Sequence, residues 1–129
     1  RFHKRFGGHA AQWAYGLAVD SRDRVILTGL YEEQADFGGA ELLGGGLREP
    51  NIFVVKLEPS GEHVWSRGVQ VAGEQTASGV SRGWRRVAVD GDDRIIVAGM
   101  VEGTIDFGGD TSPSDGFGGS DVFVVKLDR

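Results

Sequence analysis

Apolar residues in this chain come in short runs, and none follows a helical period for long. Leu17-Ala18-Val19-Asp20 leads through Ser21-Arg22-Asp23 into Val25-Ile26-Leu27-Thr28-Gly29-Leu30. Two β-prone runs around a polar turn predict a hairpin. Further on, Val87-Ala88-Val89-Asp90, Gly91-Asp92-Asp93 and Ile95-Ile96-Val97-Ala98-Gly99-Met100 repeat it. A glycine-rich connection follows each hairpin. It leads to a third strand, Ile52 to Leu57 in one copy and Val122 to Leu127 in the other. The first copy then passes through Glu58-Pro59-Ser60-Gly61, a turn signal, into a fourth strand over His63 to Val69. These strands are named A, B, C and D in order. B and C are almost continuously apolar, which suits sheets covered on both faces.

The copies align without a gap. Residues 15–58 laid on 85–128, an offset of 70, match at 18 of 44 positions. Asp36-Phe37-Gly38-Gly39 returns as Asp106-Phe107-Gly108-Gly109, and Phe53-Val54-Val55-Lys56-Leu57 as Phe123 to Leu127. At a different offset, 63, Phe2-His3-Lys4-Arg5-Phe6 aligns with Trp65 to Val69. The strand order is therefore D-A-B-C-D-A-B-C, with repeat 1 over about 7–69 and repeat 2 over about 70–129. The expected fold is all-β, with two blade equivalents of four antiparallel strands, as a β-propeller requires. Segment 1–6 is expected to complete repeat 2 of a neighbouring copy. Otherwise the chain is a fragment of a longer propeller.

The run Ala88-Val89-Asp90, Asp93-Arg94-Ile95-Ile96-Val97-Ala98-Gly99, Asp106-Phe107-Gly108-Gly109 and Ser120 to Asp128 resembles a known bacterial repeat. It is similar to the seven-bladed-propeller type repeats of secreted and surface proteins. Ser120-Asp121-Val122-Phe123-Val124-Val125-Lys126-Leu127-Asp128 is the most specific stretch; the first copy departs there with Glu49-Pro50-Asn51-Ile52. The resemblance implies a propeller, extracellular or attached to the envelope. It implies no single activity, because propellers host unrelated functions.

Net charge is −5, with both signs spread along the chain, which disfavours a nucleic-acid surface. No apolar run approaches a membrane span. With no cysteine, disulfides and thiolate metal sites are excluded. Asp-Phe-Gly-Gly is shared with the kinase metal-binding triplet, but the other kinase elements are missing. Its expected role is structural: phenylalanine packs, glycines turn, and aspartate accepts from local amides. Asp90-Gly91-Asp92-Asp93 suggests calcium, yet it lacks the twelve-residue loop, and the first copy has Arg22 among its carboxylates. A solvated A–B turn is the better reading. His3, His9 and His63 lack zinc spacing. No serine sits in a nucleophile elbow. No cofactor and no enzymatic activity are therefore expected.

Binding is expected on the face where the D–A and B–C loops emerge together. The D–A connection of repeat 2 is the longer by seven residues, and such insertions build binding faces. The candidates are Glu32, Glu33, Arg48 and Glu49 from the first B–C loop, and Glu74, Trp84 and Arg85 from the long D–A loop. Trp13 and Trp84 lie near the starts of A strands. The expected function is a structural or interaction module that associates with itself in a ring or fibre, or with the remaining blades of a longer chain. The alternative is a lectin-like module for glycan or other ligands. An enzyme working in an axial channel is the third reading.

Overall fold

The computed structural model describes residues 1–47, 50–72, 86–101, 104–106, 111–112 and 121–128. Among them there is no helix, and the strands form three antiparallel sheets. In chain order the strands are β1 (Gln12–Val19), β2 (Val25–Tyr31), β3 (Gln34–Ala35), β4 (Leu42–Leu43), β5 (Asn51–Leu57) and β6 (His63–Ala72). Then come β7 (Arg86–Val89), β8 (Ile95–Val101), β9 (Thr104–Asp106), β10 (Thr111–Ser112) and β11 (Asp121–Leu127). The first sheet runs β1-β2-β5-β6-β9-β10, the second β11-β8-β7, and β3 pairs with β4 alone.

Strands A to D of repeat 1 are thus β1, β2, β5 and β6, neighbours in one sheet. Strands A to C of repeat 2 are β7, β8 and β11, in the same order. The hairpins fall where turn chemistry placed them. Asp23 N donates to Asp20 O at 3.1 Å and Asp20 N to Arg24 O at 3.1 Å. Asp23 takes φ 60°, the left-handed residue that ends a three-residue hairpin loop. Asp93 repeats this at φ 62°. Aspartate tolerates that region better than most side chains. The turn from β5 to β6 is closed the same way by Gly61 at φ 82°, where a Cβ would meet the Phe2 ring at 2.6 Å.

Within the glycine-rich B–C connections the structure adds two small hairpins, β3–β4 and β9–β10. Two- and three-residue strands carry too little hydrophobic alternation to be read from sequence. Asp36 Oδ1 accepts from Gly38 N at 2.7 Å, Gly38 takes φ 92° and Phe37 is buried, so the first copy of Asp-Phe-Gly-Gly is a packed turn; Phe107, Gly108 and Gly109 of the second copy lie outside the described residues.

Within the first sheet β6 joins the two repeats. Its first part pairs with β5, and its end pairs with β9 as Gln70↔Asp106, Val71↔Ile105 and Ala72↔Thr104. Segment 1–6 contains no strand, but Gly7 forms an antiparallel bridge with Asp36. Gly7 precedes Gln70 by 63 and Asp36 precedes Asp106 by 70, the two offsets of the sequence alignment. The N-terminal segment therefore meets the first B–C hairpin as β6 meets the second. Its own C-strand partner is lacking among the described residues.

Two apolar clusters hold the fold. One joins Ile26, Leu30, Ile52 and Val54 of the first sheet to Ile95, Val97, Phe123 and Leu127 of the second, with Val87 and Val89 of β7 packed against it. The other covers the opposite face of the first sheet. It gathers Tyr31, Phe37, Phe53, Val55 and Leu57, with Phe6 against them. Phe37 lies between Phe53 and Phe6 in tilted ring contacts, with centroids 4.6 and 5.7 Å away. β5 is buried at every position, as a strand covered on both sides must be.

Phe53 and Phe123 occupy equivalent positions in the two clusters and are 3% and 7% exposed. Phe→Ala at either site is expected to cost about 3–5 kcal/mol in thermal or urea unfolding. An unchanged transition for Phe123→Ala would mean that the second sheet does not pack on the first.

Candidate functional site

The loop end of the first sheet is built around Gln12, the first residue of β1. Its Nε2 donates to Ala10 O at 2.7 Å and Gln34 O at 3.2 Å, while Gly8 N donates to its Oε1 at 3.3 Å. One amide side chain thus ties the connection before β1 to the loop after β2, and Glu32 N adds a bond to Ala11 O at 3.0 Å. Glu32 and Glu33 form the bend between β2 and β3 and are half-buried. Gln34 N donates to Glu32 O and Gly44 N to Glu33 O, both at 2.6 Å. Glu33 takes φ 53°, uncommon for a glutamate and held here by those bonds.

Of the seven residues expected to bind, Glu32 and Glu33 are adjacent on this bend. Arg48, Glu49, Glu74, Trp84 and Arg85 lie outside the described residues. Beside the bend, β1 exposes Trp13 and Tyr15, 39% and 40% open. Gln12 and Tyr15 were missed from the sequence. A lone glutamine or tyrosine in a β-prone run carries no signal, and alternation shows which residues share a face but not which face stays open.

The opposite end, at the A–B turns, is electrostatically richer. The Asp20 side chain is buried and surrounded by donors. Its Oδ1 accepts from the amides of Arg22 and Arg24, each at 3.0 Å, and its Oδ2 from Arg24 Nε at 2.7 Å. Lys56 Nζ, fully buried, lies 2.9 Å from the same Oδ2. That contact is an ion pair outside hydrogen-bond geometry, and among the described residues Lys56 Nζ has no other partner. The turn expected to be solvated is therefore closed over its aspartate, because the second sheet covers Lys56. Asp90 repeats the arrangement with Lys126, Arg94 and the amides of Asp92 and Arg94, but in the open: the Lys126 side chain is 47% exposed.

Burial pushes the Asp20 carboxyl up, but Lys56 and the amides of Arg24 and Arg22 outweigh it and hold it at about 2, against 3.8. At Asp90 the Lys126 hydrogen bond is the largest cause, followed by the Arg94 amide, and the result is again about 2. Carboxylates so lowered and so saturated with donors are ionised at neutral pH and poorly suited to proton transfer. Among the described residues no group of three His, Cys, Asp or Glu side chains is placed to hold a metal. Among the described residues there is no helix long and apolar enough to cross a membrane.

A third feature joins the two turns. Ser21 N donates to Asp93 Oδ1 at 2.9 Å and Ser21 Oγ to Asp93 Oδ2 at 2.6 Å. A carboxylate from the second A–B turn thereby caps the first. The Ser21 hydroxyl, then its amide, lower the Asp93 carboxyl.

The Asp20 pair gives an acid limit. Its folded pKa lies below the unfolded value, so its stabilisation is complete above about 4 and is lost as pH falls towards 2. Asp20→Asn is expected to flatten stability across that window. At pH 7 it is expected to cost about 3–5 kcal/mol, because Lys56 is left buried and uncompensated. Adding Lys56→Met should recover most of the loss. Urea unfolding across pH, with no difference between Asp20→Asn and wild type, would remove the pair from the account.

No family model matches the chain, and neither a curated protein nor a solved structure shows significant similarity to it.

Proposed function

We propose that this chain is a pair of β-propeller blades, of the type repeated in bacterial secreted and surface proteins, and that it works as a building block rather than as an enzyme. The observation that carries this reading is the Gly7–Asp36 bridge and its counterpart, Gln70–Asp106. In repeat 1 the D strand both pairs with its own C strand and is laid on the next B–C hairpin. Segment 1–6 has the second role without the first. A C strand with an unpaired edge is its natural complement, and β11 pairs with β8 alone among the described residues. Strand addition at such an edge forms main-chain hydrogen bonds without further design. The module thus completes itself with another copy, in a ring or an open fibre, or with the remaining blades of a longer chain. An extracellular or envelope location follows from the family resemblance.

Sedimentation is expected to give an assembly with an even number of blades, and deletion of residues 1–6 should dissociate or destabilise it. A folded monomer at micromolar concentration, unaffected by that deletion, would sink the proposal.

A second reading has its own observation. β1 exposes Trp13 and Tyr15, and its start meets the bend that carries Glu32 and Glu33; exposed aromatic rings and carboxylates at one end of a sheet suit a glycan. A glycan array tests it: binding abolished by Trp13→Ala supports a lectin-like role, and no binding to any glycan ends it.

A further inference from the structure

The contact between the two sheets is made of repeated positions, so each half of it exists twice in the chain. Ile52 and Val54 of β5 are 0% and 1% exposed beneath the second sheet, whereas their equivalents Val122 and Val124 of β11 are 75% and 68% exposed. Val87 and Val89 of β7 pack against the first sheet, whereas their equivalents Leu17 and Val19 of β1 are 64% and 50% exposed. Lys56 is buried and Lys126 is not. The polar part of the contact follows the same rule. Asp93 is buried and caps Ser21; its equivalent Asp23 is exposed, with no side-chain partner among the described residues. The equivalent of Ser21 is Gly91, whose Cβ position is empty of atoms within 4 Å.

Resting on the building-block reading above, we propose that the open face of β1 takes the open face of β11 from a second copy of this chain. In that contact Asp23 caps the Gly91 turn of the second copy, as Asp93 caps Ser21 within one chain. The two faces complement each other and not themselves, so the contact is head-to-tail. The same geometry lays segment 1–6 of the first copy along β11 of the second. Asp23 fixes the register, because the apolar faces alone would tolerate sliding. With glycine in place of serine, this cap has one donor where the internal cap has two. The contact between copies is therefore weaker than the one inside the chain.

The test uses the cysteine-free background of the 129-residue chain. Asp23→Cys and Gly91→Cys are made as separate proteins and treated with a short bismaleimide, alone and mixed. Cross-linked dimers are expected in the mixture and not with either protein alone. Sedimentation of two further variants reads the energetics. Asp23→Gly suits the local φ and leaves the fold intact, and it should weaken association about tenfold. Gly91→Ser restores the second donor and should tighten association by a similar factor. A chain that associates, but gives no dimers specific to the mixture and keeps its affinity in both variants, overturns the cap and leaves the building-block reading standing. A chain that remains monomeric overturns the second copy as occupant and leaves these faces to other segments or another protein.

Discussion

The two larger sheets of this protein are apolar on both faces, and that constraint governs the rest. A strand such as β5, buried at all seven positions, exists only because something lies above it and something below. On one side the partner is the second sheet, through Val87, Val89, Ile95 and Val97. On the other it is the chain's own Phe37 and Phe6. Transfer of apolar surface from water is the main favourable term in folding. A sheet of this kind gains it fully only as the middle member of a stack.

The charged groups follow from that stacking. Lys56 and Asp20 sit in a contact that excludes water, where an unpaired charge would be costly. Two backbone amides and Arg24 complete the coordination of Asp20, so the turn, the strand end and the sheet contact are fixed by one carboxylate. Asp90 and Lys126 have the same chemistry at an open surface, where screening by water leaves such a pair little stabilising effect. Identical residues thus act differently in the two copies, and the cause is the neighbour.

The loop end is organised by hydrogen bonds. Gln12 joins the segment before β1 to the loop after β2 that carries Glu32 and Glu33, and β1 itself exposes Trp13 and Tyr15. Among the described residues of that end, no carboxylate is surrounded by donors as Asp20 is.

The amino-acid sequence by itself determined the elements and their order. The Asp20 to Arg24 and Glu58 to Glu62 turns, the strands they join and the offsets of 70 and 63 rest on local backbone preference and on repetition. Both can be read without a fold. The role of Asp36-Phe37-Gly38-Gly39 as a packed turn was legible for the same reason. The hairpins β3–β4 and β9–β10 were not, because strands of two or three residues leave no period. Tertiary structure alone decided burial. Val54 and Val124, Lys56 and Lys126, and Asp93 and Asp23 are pairs of identical residues with opposite exposure. Burial depends on what packs against a residue from tens of positions away in the chain, and a local pattern carries no record of that.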